Sequence, residues 1–442
     1  MYPYLNAGGV AYPRGRPGII LDAFPSVNEP LKLRGLVFCD VLPEPTLTMG
    51  YLPDRICKKL MFVLCRTCAE TQKISKPCTH YNISERYLTG VWTTEELNVA
   101  REKGYKILKY HEIWYWPDSQ WFSGGFFADY LKPLLKMKHE STGWPKDDMS
   151  EAEKDEHIKW IAEKDGVTLE RSKVQKNKAM RSLTKIFLNS AWGKFAQNPM
   201  KTETKLIFKS DGVSMANFFN HPKFEPTAMV PFGSKKVWIS RKPKREALFG
   251  AEFSSLPIAA ITTSAARIRL TQAMERVGIE NMIYCDTDSL MFTQKPGEDP
   301  LSDMKGQQLG FLVNEIPQGS ELVEVVTMAP KVYALKIKNS NGSFSYVIKA
   351  KGMTMNSGNA GVIKFDSMKE AMSKFIASGT ADPLHGEMLM FKRGDNALDG
   401  IWSTKIRKEL NPRMDKGHYM EGVSIPFGKL PHGIKLINDY PF

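Results

Sequence analysis

The sequence lacks the features of several broad protein classes. No apolar run approaches the roughly 18 residues that a membrane-spanning helix needs. Cysteine is scarce, with 6 residues in 442, which is not typical of small secreted scaffolds held by disulfides. The chain shows no internal repeat, no low-complexity tract and no secretory signal, because its first residues are polar and rich in Gly and Pro. These absences exclude transmembrane, solenoid and disulfide-rich classes and predict a globular chain of about two to four compact units.

Positive charge is present in excess, and it is concentrated in one segment. The chain has 61 basic and 48 acidic residues, a net charge of +13. Residues 171–250 contain 17 basic and 4 acidic residues, whereas the rest of the chain contains 44 of each. Such segregation favours a surface for a polyanion such as DNA over a solubilising surface, which needs no segregation. The aromatic residues interleaved with these charges are either stacking surfaces for bases or core residues.

Two carboxylates stand in the stretch from Tyr284 to Ser289. Apolar residues lead into and out of this stretch, which predicts a strand, a tight turn and a second strand. Because side chains two apart on an extended chain point the same way, we expect Asp286 and Asp288 to face one point. Paired carboxylates are hard oxygen ligands, which suit Mg²⁺. The alternative is a polar hairpin tip, since turns are rich in Asp.

A basic helix is predicted upstream of this hairpin. Residues 179–195 have a helical apolar pattern, with Gly193 as the predicted terminator. Arg181, Lys185 and Asn189 are spaced by four and therefore share one face. Two cations and an amide on one face suit a triphosphate. From the charges alone, a solvated basic face is the simpler interpretation.

Four residues of metal-ligand type lie close together in the sequence. Cys65 and Cys68 form a standard zinc half-site, and Cys78 and His80 supply a second half that is tighter than in most zinc fingers. The pattern predicts either a structural Zn²⁺ held by these four side chains or reduced thiols in a loop. A disulfide is the weaker alternative, since nothing in the sequence indicates secretion.

Local patterns predict several further elements. We expect a strand over 36–42, a helix between a Thr93–Glu96 capping box and Gly104, and a helix over 126–138 kinked at Pro133. An exposed helix is expected within 146–170, followed by a loop-rich stretch around Pro222, Pro226, Pro231 and Pro243. Two further helices are expected, one over 257–277 and one from Met368 through Ile376. The long helix over 257–277 leads directly into the acidic hairpin, so we expect it to pack behind the hairpin strands.

Together, these motifs resemble those of the family B DNA polymerases. The stretch from Lys185 to Gly193 resembles the family's fingers motif, and the stretch from Tyr284 to Ser289 resembles its palm motif. Lys331-Val-Tyr333 resembles the Lys-x-Tyr motif of the protein-primed branch. The likeness is greatest to polymerases of Polinton (Maverick) transposons and their viral relatives. It extends along almost the whole chain, including residues 64–70, 85–90 and 351–356.

The resemblance implies an α+β, right-hand polymerase fold. A palm with an antiparallel sheet would carry helical fingers and a thumb, and the exonuclease domain would be absent. The implied domains are residues 1–125 (an N-terminal palm remnant with an insertion like the terminal-protein region and the candidate zinc site), 126–200 (fingers), 201–350 (palm with the Asp-Thr-Asp hairpin) and 351–442 (thumb and C-terminal tail).

The resemblance also implies a reaction and site residues. The reaction is template-directed transfer of nucleotides from dNTPs in viral or transposon DNA replication. It would use a DNA primer–template, Mg²⁺ in a two-metal site and a terminal protein as candidate primer. The implied catalytic metal ligands are Asp286 and Asp288. The implied nucleotide-binding residues are Tyr2, Lys138, Arg181, Lys185, Asn189, Ser190 and Gly193. The implied DNA-binding residues are Trp192, Thr287, Lys331 and Tyr333.

The first residues resemble the end of another palm motif, Asp-x-x-Ser-Leu-Tyr-Pro. The catalytic Asp is then expected four residues before Met1, and the chain is expected to be a truncated C-terminal fragment. Tyr2 would stack under the incoming sugar, with a frayed terminal residue as the alternative. The stretch that begins at Asp22 is superficially similar to the motif but lacks its Ser-Leu-Tyr core, so we expect no catalytic role for Asp22. Two rival functions remain: a reverse transcriptase or RNA polymerase palm, which usually has adjacent aspartates, and a catalytically inactive transposon remnant that binds nucleic acid and nucleotide.

Overall fold

The computed structural model describes residues 1–72, 74–123, 125–247, 254–306, 308–393, 401–420 and 423–441. Helices and strands are mixed along these residues, and the strands pair antiparallel in each sheet described below. This content agrees with the α and β mixture that the sequence predicts. Within the described residues, no helix is both long and apolar enough to cross a bilayer.

The N-terminal unit is built around a four-stranded sheet. Its helices are α1 (Tyr2–Tyr4), α2 (Arg66–Thr71), α3 (Ile83–Arg86) and α4 (Thr94–Glu102). Its strands are β1 (Tyr12–Pro13), β2 (Gly18–Ile20), β3 (Gly35–Leu42), β4 (Asp54–Ile56), β5 (Lys59–Met61), β6 (Leu88–Thr93), β7 (Lys106–Tyr115) and β8 (Trp121–Phe122). The strand order in the sheet is β2-β7-β3-β6. Val37, Cys39 and Val41 alternate along β3 and are buried in the core, which confirms the strand predicted over 36–42.

Helix α4 begins with only half of the predicted capping box. The Thr93 hydroxyl accepts a hydrogen bond from the Glu96 N–H at 3.2 Å. The Glu96 carboxylate accepts instead from the guanidinium of Arg267. The prediction is therefore wrong for Glu96, because a charge-assisted pair with a guanidinium is stronger than a hydrogen bond to a backbone N–H. Gly104 follows the helix with a φ of +90°, as the sequence predicts.

Three helices pack together after the N-terminal unit. They are α5 (Ala128–Thr142), α6 (Glu151–Asp165) and α7 (Lys178–Phe195). Their shared core contains the buried side chains of Leu131, Leu135, Ile161 and Leu188. The α6 helix was predicted as exposed, and it does carry a charged outer face, but Ile161 anchors it to the other two. Pro133 lies inside α5.

The predicted end of α7 is wrong. The helix passes through Gly193 and ends at Phe195. A glycine inside a helix costs only about 1 kcal/mol relative to alanine, so it does not end a helix whose next turn is packed. That packing is present, because the Phe195 ring lies 5.3 Å from the ring of Phe127. At the other end, the Asn177 side chain accepts a hydrogen bond from the Met180 N–H at 3.0 Å and caps the first turn.

The segment after α7 forms a sheet and not the predicted loops. Its elements are β9 (Glu203–Phe208), α8 (Gly212–Phe219), β10 (Phe224–Phe232) and β11 (Lys236–Pro243). The strand order is β10-β11-β9, so β10 lies at an edge. Pro226 and Pro231 lie on this edge strand, where a residue without an N–H breaks no interior ladder. Proline therefore indicated an edge strand here, and the loop prediction was wrong.

A long helix packs behind the acidic hairpin. The elements are α9 (Leu256–Val277), β12 (Met282–Asp286) and β13 (Ser289–Phe292). Ala273 and Val277 of α9 are buried against Met282 and Leu290 of the hairpin. This packing confirms the helix predicted over 257–277 and its position behind the two strands.

One core joins the elements that follow the hairpin. They are β14 (Glu321–Ala329), β15 (Val332–Lys338), β16 (Phe344–Ala350), α10 (Ser357–Val362), α11 (Phe365–Ser378), β17 (Leu384–Arg393) and β18 (Ile401–Leu410). The buried side chains of Met328, Met368 and Leu410 belong to this core. It therefore crosses residue 350, where the sequence predicts a palm–thumb boundary. Helix α11 confirms the helix predicted from Met368 through Ile376.

The last residues return to the N-terminal unit. Strands β19 (His418–Met420) and β20 (Val423–Ile425) form a short hairpin. Beyond it, Phe427 and Leu430 are buried in the core of the N-terminal unit. The Leu430 N–H donates to the Pro45 carbonyl at 2.8 Å. No sequence pattern had indicated this docking.

Candidate active site

The two carboxylates lie at the tip of the β12–β13 hairpin. Asp286 pairs with Ser289, so Thr287 and Asp288 form the turn. Thr287 has a left-handed φ of 59°, and the Asp288 N–H donates to the Asp286 carbonyl at 2.6 Å. The tight turn is confirmed. The premise that the chain is extended between Asp286 and Asp288 is wrong, because Thr287 turns the chain there, and that both carboxylates face one point stays a prediction.

Lys331 is the partner of Asp286. Its Nζ donates to the two carboxylate oxygens at 2.6 and 2.5 Å, and its backbone N–H donates to the Tyr284 hydroxyl at 2.8 Å. The hydrogen bond to Asp286 raises the pKa of Lys331. The ring of Tyr333 lies 5.3 Å from that of Tyr284. The predicted Lys-x-Tyr residues therefore lie directly on the acidic hairpin.

Tyr2 lies between the acidic hairpin and helix α7. Its ring centroid is 4.6 Å from that of Trp192. Burial raises the pKa of Tyr2, the charge of Asp288 raises it further, Arg267 opposes the shift, and Asp286 adds to it. Both carboxylates are thus close enough to Tyr2 for their charges to raise its pKa. It is held in this position, so the alternative of a frayed terminal residue is wrong for this structure.

The first turn of the chain is also in contact with the hairpin. The backbone nitrogen of Met1 lies 3.2 Å from the Asp288 Oδ2. Asp286 has a cationic side chain as its neighbour, Lys331.

A buried hydrogen-bond network fixes this N-terminal segment to α9. The Tyr12 hydroxyl donates to the Asn6 Oδ1 at 2.7 Å and lies 2.8 Å from the Thr262 hydroxyl. Burial raises the pKa of Tyr12 to about 12. Since Asn6 follows Tyr2 by one turn of helix, the network sets the position of Tyr2 beside the hairpin.

We expect Tyr12→Phe to destabilise the protein by about 1–3 kcal/mol, because the change leaves buried polar groups with fewer partners. The measurement is the midpoint of urea unfolding. Tyr81→Phe is the matched control, since Tyr81 is exposed and should change the midpoint little. Equal midpoints for the two variants would show that the network does not anchor the segment.

Three predicted triphosphate-binding cations come together on α5 and α7. Burial lowers the pKa of Lys138, and the positive charges of Arg181 and Lys185 lower it further, while Asp165 opposes them. Arg181 and Lys185 are exposed on α7, as is Asn189 one turn later. Mutually repelling cations that lie close together form a site that an anion would stabilise.

The remaining predicted residues of α7 line the same stretch of helix. Ser190 and Gly193 are exposed, and the Ser190 hydroxyl donates to the Phe187 carbonyl of its own helix at 3.3 Å. Nothing lies within 4 Å of the position that a Cβ on Gly193 would occupy. The indole nitrogen of Trp192 is buried without a hydrogen-bond partner among the described residues. The open space at Gly193 leaves room for a ligand beside this stretch of the helix.

The pair formed by Arg267 and Glu96 was missed by the sequence reasoning. The Arg267 guanidinium donates to the two Glu96 carboxylate oxygens at 2.6 and 3.0 Å. The pair joins α9 to α4 and places a positive charge near Tyr2. A sequence signal was available, since Arg267 is the first charged residue of α9 and follows eleven uncharged residues. Asp22, by contrast, is exposed in the bend after β2.

The Cys/His residues form a cluster, as the sequence predicts. The ligand atoms of Cys65, Cys68, Cys78 and His80 all lie within 4.8 Å of one another. The His80 Nδ1 is 3.5, 3.2 and 3.8 Å from the three sulfurs in that order. The three cysteines are free thiols, so they form no disulfide with any residue that the structure describes.

Comparison with known proteins gives a consistent result. Residues 168–278, which contain α7 and α9, match the family described as DNA polymerase type B, organellar and viral. A probable DNA polymerase of Neurospora intermedia is 23% identical over 192 residues, which is 43% of this chain and 18% of that protein. The chain thus matches less than a fifth of that relative's length.

The fold has a solved counterpart. The structure of Phi29 DNA polymerase complexed with single-stranded DNA matches with a TM-score of 0.50 and 14% identity, over 93% of this chain and 56% of that one. At this identity the likeness concerns the fold alone. The family match over residues 168–278 and the Neurospora relative, each covering less than half of this chain, show that this part of the chain is similar to the type B DNA polymerases of organellar and viral type.

Proposed function

We propose that this chain catalyses template-directed nucleotidyl transfer from dNTPs to a DNA primer. A primer 3′-hydroxyl attacks the α-phosphate of the dNTP, and pyrophosphate leaves. The observation that carries the proposal is the position of Tyr2, whose ring contacts Trp192 on the basic helix while its pKa responds to Asp288 and Asp286. Tyr2 therefore lies beside both the carboxylates that would hold the metal and the helix whose cations would hold the triphosphate. Phosphoryl transfer requires these two kinds of site to be adjacent.

Asp286 and Asp288 are the proposed metal ligands. Their carboxylates are hard oxygen donors, which suits Mg²⁺. The ammonium of Lys331 already binds Asp286, so the hairpin tip attracts positive charge and the metal would take the place of this ammonium. When bound, Mg²⁺ would orient the triphosphate and offset the negative charge that develops during transfer.

Lys138, Arg181 and Lys185 are the proposed triphosphate ligands. They lie close enough for the charges of the last two to lower the pKa of the first. A triphosphate would relieve this repulsion and would gain charge-assisted hydrogen bonds. Asn189, Ser190 and Gly193 follow on the same helix and are proposed to line the nascent base pair with Tyr2.

The proposed DNA contacts lie beside the hairpin. Lys331 and Tyr333 would hold the primer end, and Thr287 and Trp192 would lie along the template or primer strand. The similar Phi29 polymerase is complexed with single-stranded DNA, which supports DNA as the partner. The contact of the Lys-x-Tyr residues with the hairpin supports our further proposal that the chain belongs to the protein-primed branch, with a terminal protein as primer and Polinton-like or viral DNA as its context.

Primer extension tests the proposal. The assay contains a labelled DNA primer, a DNA template, Mg²⁺ and four dNTPs. It is run with this chain and with a version that carries an Asp-x-x-Ser segment ahead of Met1, as the resemblance implies. We expect template-dependent extension that needs dNTPs. Extension restricted to rNTPs or to an RNA template would favour the rival palm enzymes, and no extension by either form would contradict the proposal.

The basic segment offers a second test, on DNA binding. Arg241 is not free for DNA, because its guanidinium binds Glu203 and lies 4.2 Å from the rings of Phe218 and Phe224. Lys242 is paired with Glu225. Lys201, Lys244 and Arg245 are exposed cations of the segment that form no salt bridge within the part of the chain that the structure describes.

We expect the triple variant Lys201→Ala, Lys244→Ala, Arg245→Ala to flatten the salt dependence of primer–template binding. If each cation contacts one phosphate, the slope of log affinity against log salt falls by up to about 3. The control removes three exposed lysines of the N-terminal unit, Lys32, Lys58 and Lys76. An equal change in both variants would place the DNA elsewhere.

A further inference from the structure

The Cys/His cluster has the dimensions of one tetrahedral metal site. A zinc ion about 2.3 Å from sulfur and about 2.0–2.1 Å from nitrogen places a sulfur and a nitrogen about 3.5 Å apart. The His80 Nδ1 lies 3.5, 3.2 and 3.8 Å from the sulfurs of Cys65, Cys68 and Cys78. The cysteines are buried. Four nitrogen and sulfur ligand atoms that surround one point, with no coordination position left for water, are typical of a structural zinc site.

Arg86 supplies an independent reason to expect a metal. Its side chain is 0% exposed, and a guanidinium remains charged inside a protein. Among the described residues no carboxylate pairs with it, and its Nε has no hydrogen-bond partner. Its Nη1 instead donates to the Cys78 Sγ at 3.2 Å. A buried charge without a counter-charge is costly.

Metal binding would supply the missing counter-charge. Three thiolates and one neutral imidazole around Zn²⁺ carry a net charge of −1, which balances the guanidinium. Three neutral thiols would leave Arg86 uncompensated in the core. Arg86 is therefore placed to pair with a metal–thiolate centre. An N–H group that donates to a metal-bound sulfur is a common outer contact of such sites.

The same arginine binds the C-terminal tail. Its Nη2 donates to the Gly428 carbonyl at 2.6 Å and to the Leu64 carbonyl at 3.0 Å. The Leu64 N–H in turn donates to the Phe427 carbonyl at 2.7 Å. Gly428 has a φ of +95°, and a Cβ there would lie 2.2 Å from the Cβ of Cys65. The tail therefore rests directly on the first cysteine of the cluster.

Further along, the tail is attached on the other side of the cluster. The Tyr440 hydroxyl donates to Asp40 at 2.5 Å, and the Ser84 N–H and hydroxyl donate to the Asp439 carboxylate at 2.9 and 2.5 Å. Ile437 pairs with Asn82 in a short bridge. Asn82 and Ser84 closely follow the last residue of the cluster, so both flanks of the cluster hold the tail.

We propose that Cys65, Cys68, Cys78 and His80 bind one Zn²⁺, and that the loaded site holds residues 423–441 against the N-terminal unit through Arg86 and Gly428. The metal fixes the two segments that present Leu64, Cys65 and Arg86 to the tail. Removal of the metal leaves Arg86 without a counter-charge and frees these segments, so the tail detaches. This role is separate from the proposed nucleotidyl transfer.

Metal content is the first test. The full chain, purified without chelators, should contain about one zinc per chain by elemental analysis. Cys68→Ser should lose most of this zinc. Cys57→Ser is the matched control, because Cys57 is exposed and lies outside the cluster, and it should keep the zinc. A wild-type chain without metal, or equal loss in both variants, would overturn the site.

Hydrogen exchange tests the coupling to the tail. Peptides covering residues 423–441 are compared in the zinc-loaded chain, after chelation and after zinc is added back. We expect chelation to speed their exchange by about tenfold or more and zinc to restore the protection, while peptides of α11 stay unchanged. Unchanged tail peptides would overturn the coupling, and so would equal loss of protection in α11, which would indicate general unfolding.

A tail variant separates docking from metal binding. Asp439→Asn combined with Tyr440→Phe weakens the attachment to Ser84 and Asp40 without touching the cluster. We expect this variant to keep one zinc per chain while its tail exchanges faster than in the wild type. Loss of zinc from this variant would show that metal binding depends on the docked tail. That result would overturn the proposal that docking of the tail depends on the metal.

Discussion

Asp288→Asn should lower the rate of primer extension by roughly a thousandfold or more, because the change removes a metal ligand from the proposed two-metal centre. Single-turnover extension in Mg²⁺ measures the rate, with whichever form of the chain extends a primer. Affinity for primer–template DNA should change little, since phosphate contacts to basic residues dominate it. The loss should therefore appear in the rate and not in binding.

Asp22→Asn is the control for this experiment. Asp22 is exposed in the bend after β2, and the sequence gives it a superficial likeness to a catalytic acid. We expect its replacement to leave extension within about twofold of the starting rate, as is usual for surface positions away from a site. Near-normal extension by Asp288→Asn together with a large loss in Asp22→Asn would exchange the roles assigned to the two residues.

Lys185→Ala should weaken dNTP binding by about 10- to 100-fold, because one charge-assisted hydrogen bond to a phosphate contributes about 1.5–3 kcal/mol. The measurement is the dNTP concentration that gives half-maximal extension, supported by direct binding of dNTP in Mg²⁺. Lys194→Ala is the matched control on the same helix, since the Lys194 Nζ binds the Gln197 side chain at 2.8 Å. Similar weakening by both variants would mean that the charge of α7, and not a specific site, attracts the nucleotide.

The parts of the site that the sequence predicts well are those within one element. Arg181, Lys185 and Asn189 share a helix face because four residues make about one turn, and the structure has them on α7. Cys65 is similarly the N-cap of α2, and Cys68 lies in the first turn of that helix. Local periodicity is sufficient for such groups, since the helix itself sets their spacing.

The parts that local patterns missed are set by distant contacts. Arg267 reaches Glu96 across 171 residues, and Tyr440 reaches Asp40 across 400. No periodicity links such positions. The error at Thr287 has another cause, because alternation of side chains applies only until the chain turns. On β10, the prolines were interpreted without knowledge of strand order, and only the sheet shows that this strand is an edge.

The ion pair between Lys331 and Asp286 makes this lysine a tethered counterion. A divalent cation that approaches Asp286 has to compete with an ammonium that is already within 2.6 Å of both oxygens. Any polyanion that draws Lys331 away removes this competitor and raises the affinity of the carboxylate for the cation. By thermodynamic reciprocity, the cation then raises the affinity of the chain for the polyanion by the same factor. Nucleic-acid backbone and metal ion would thus load cooperatively, without any change in the shape of the hairpin.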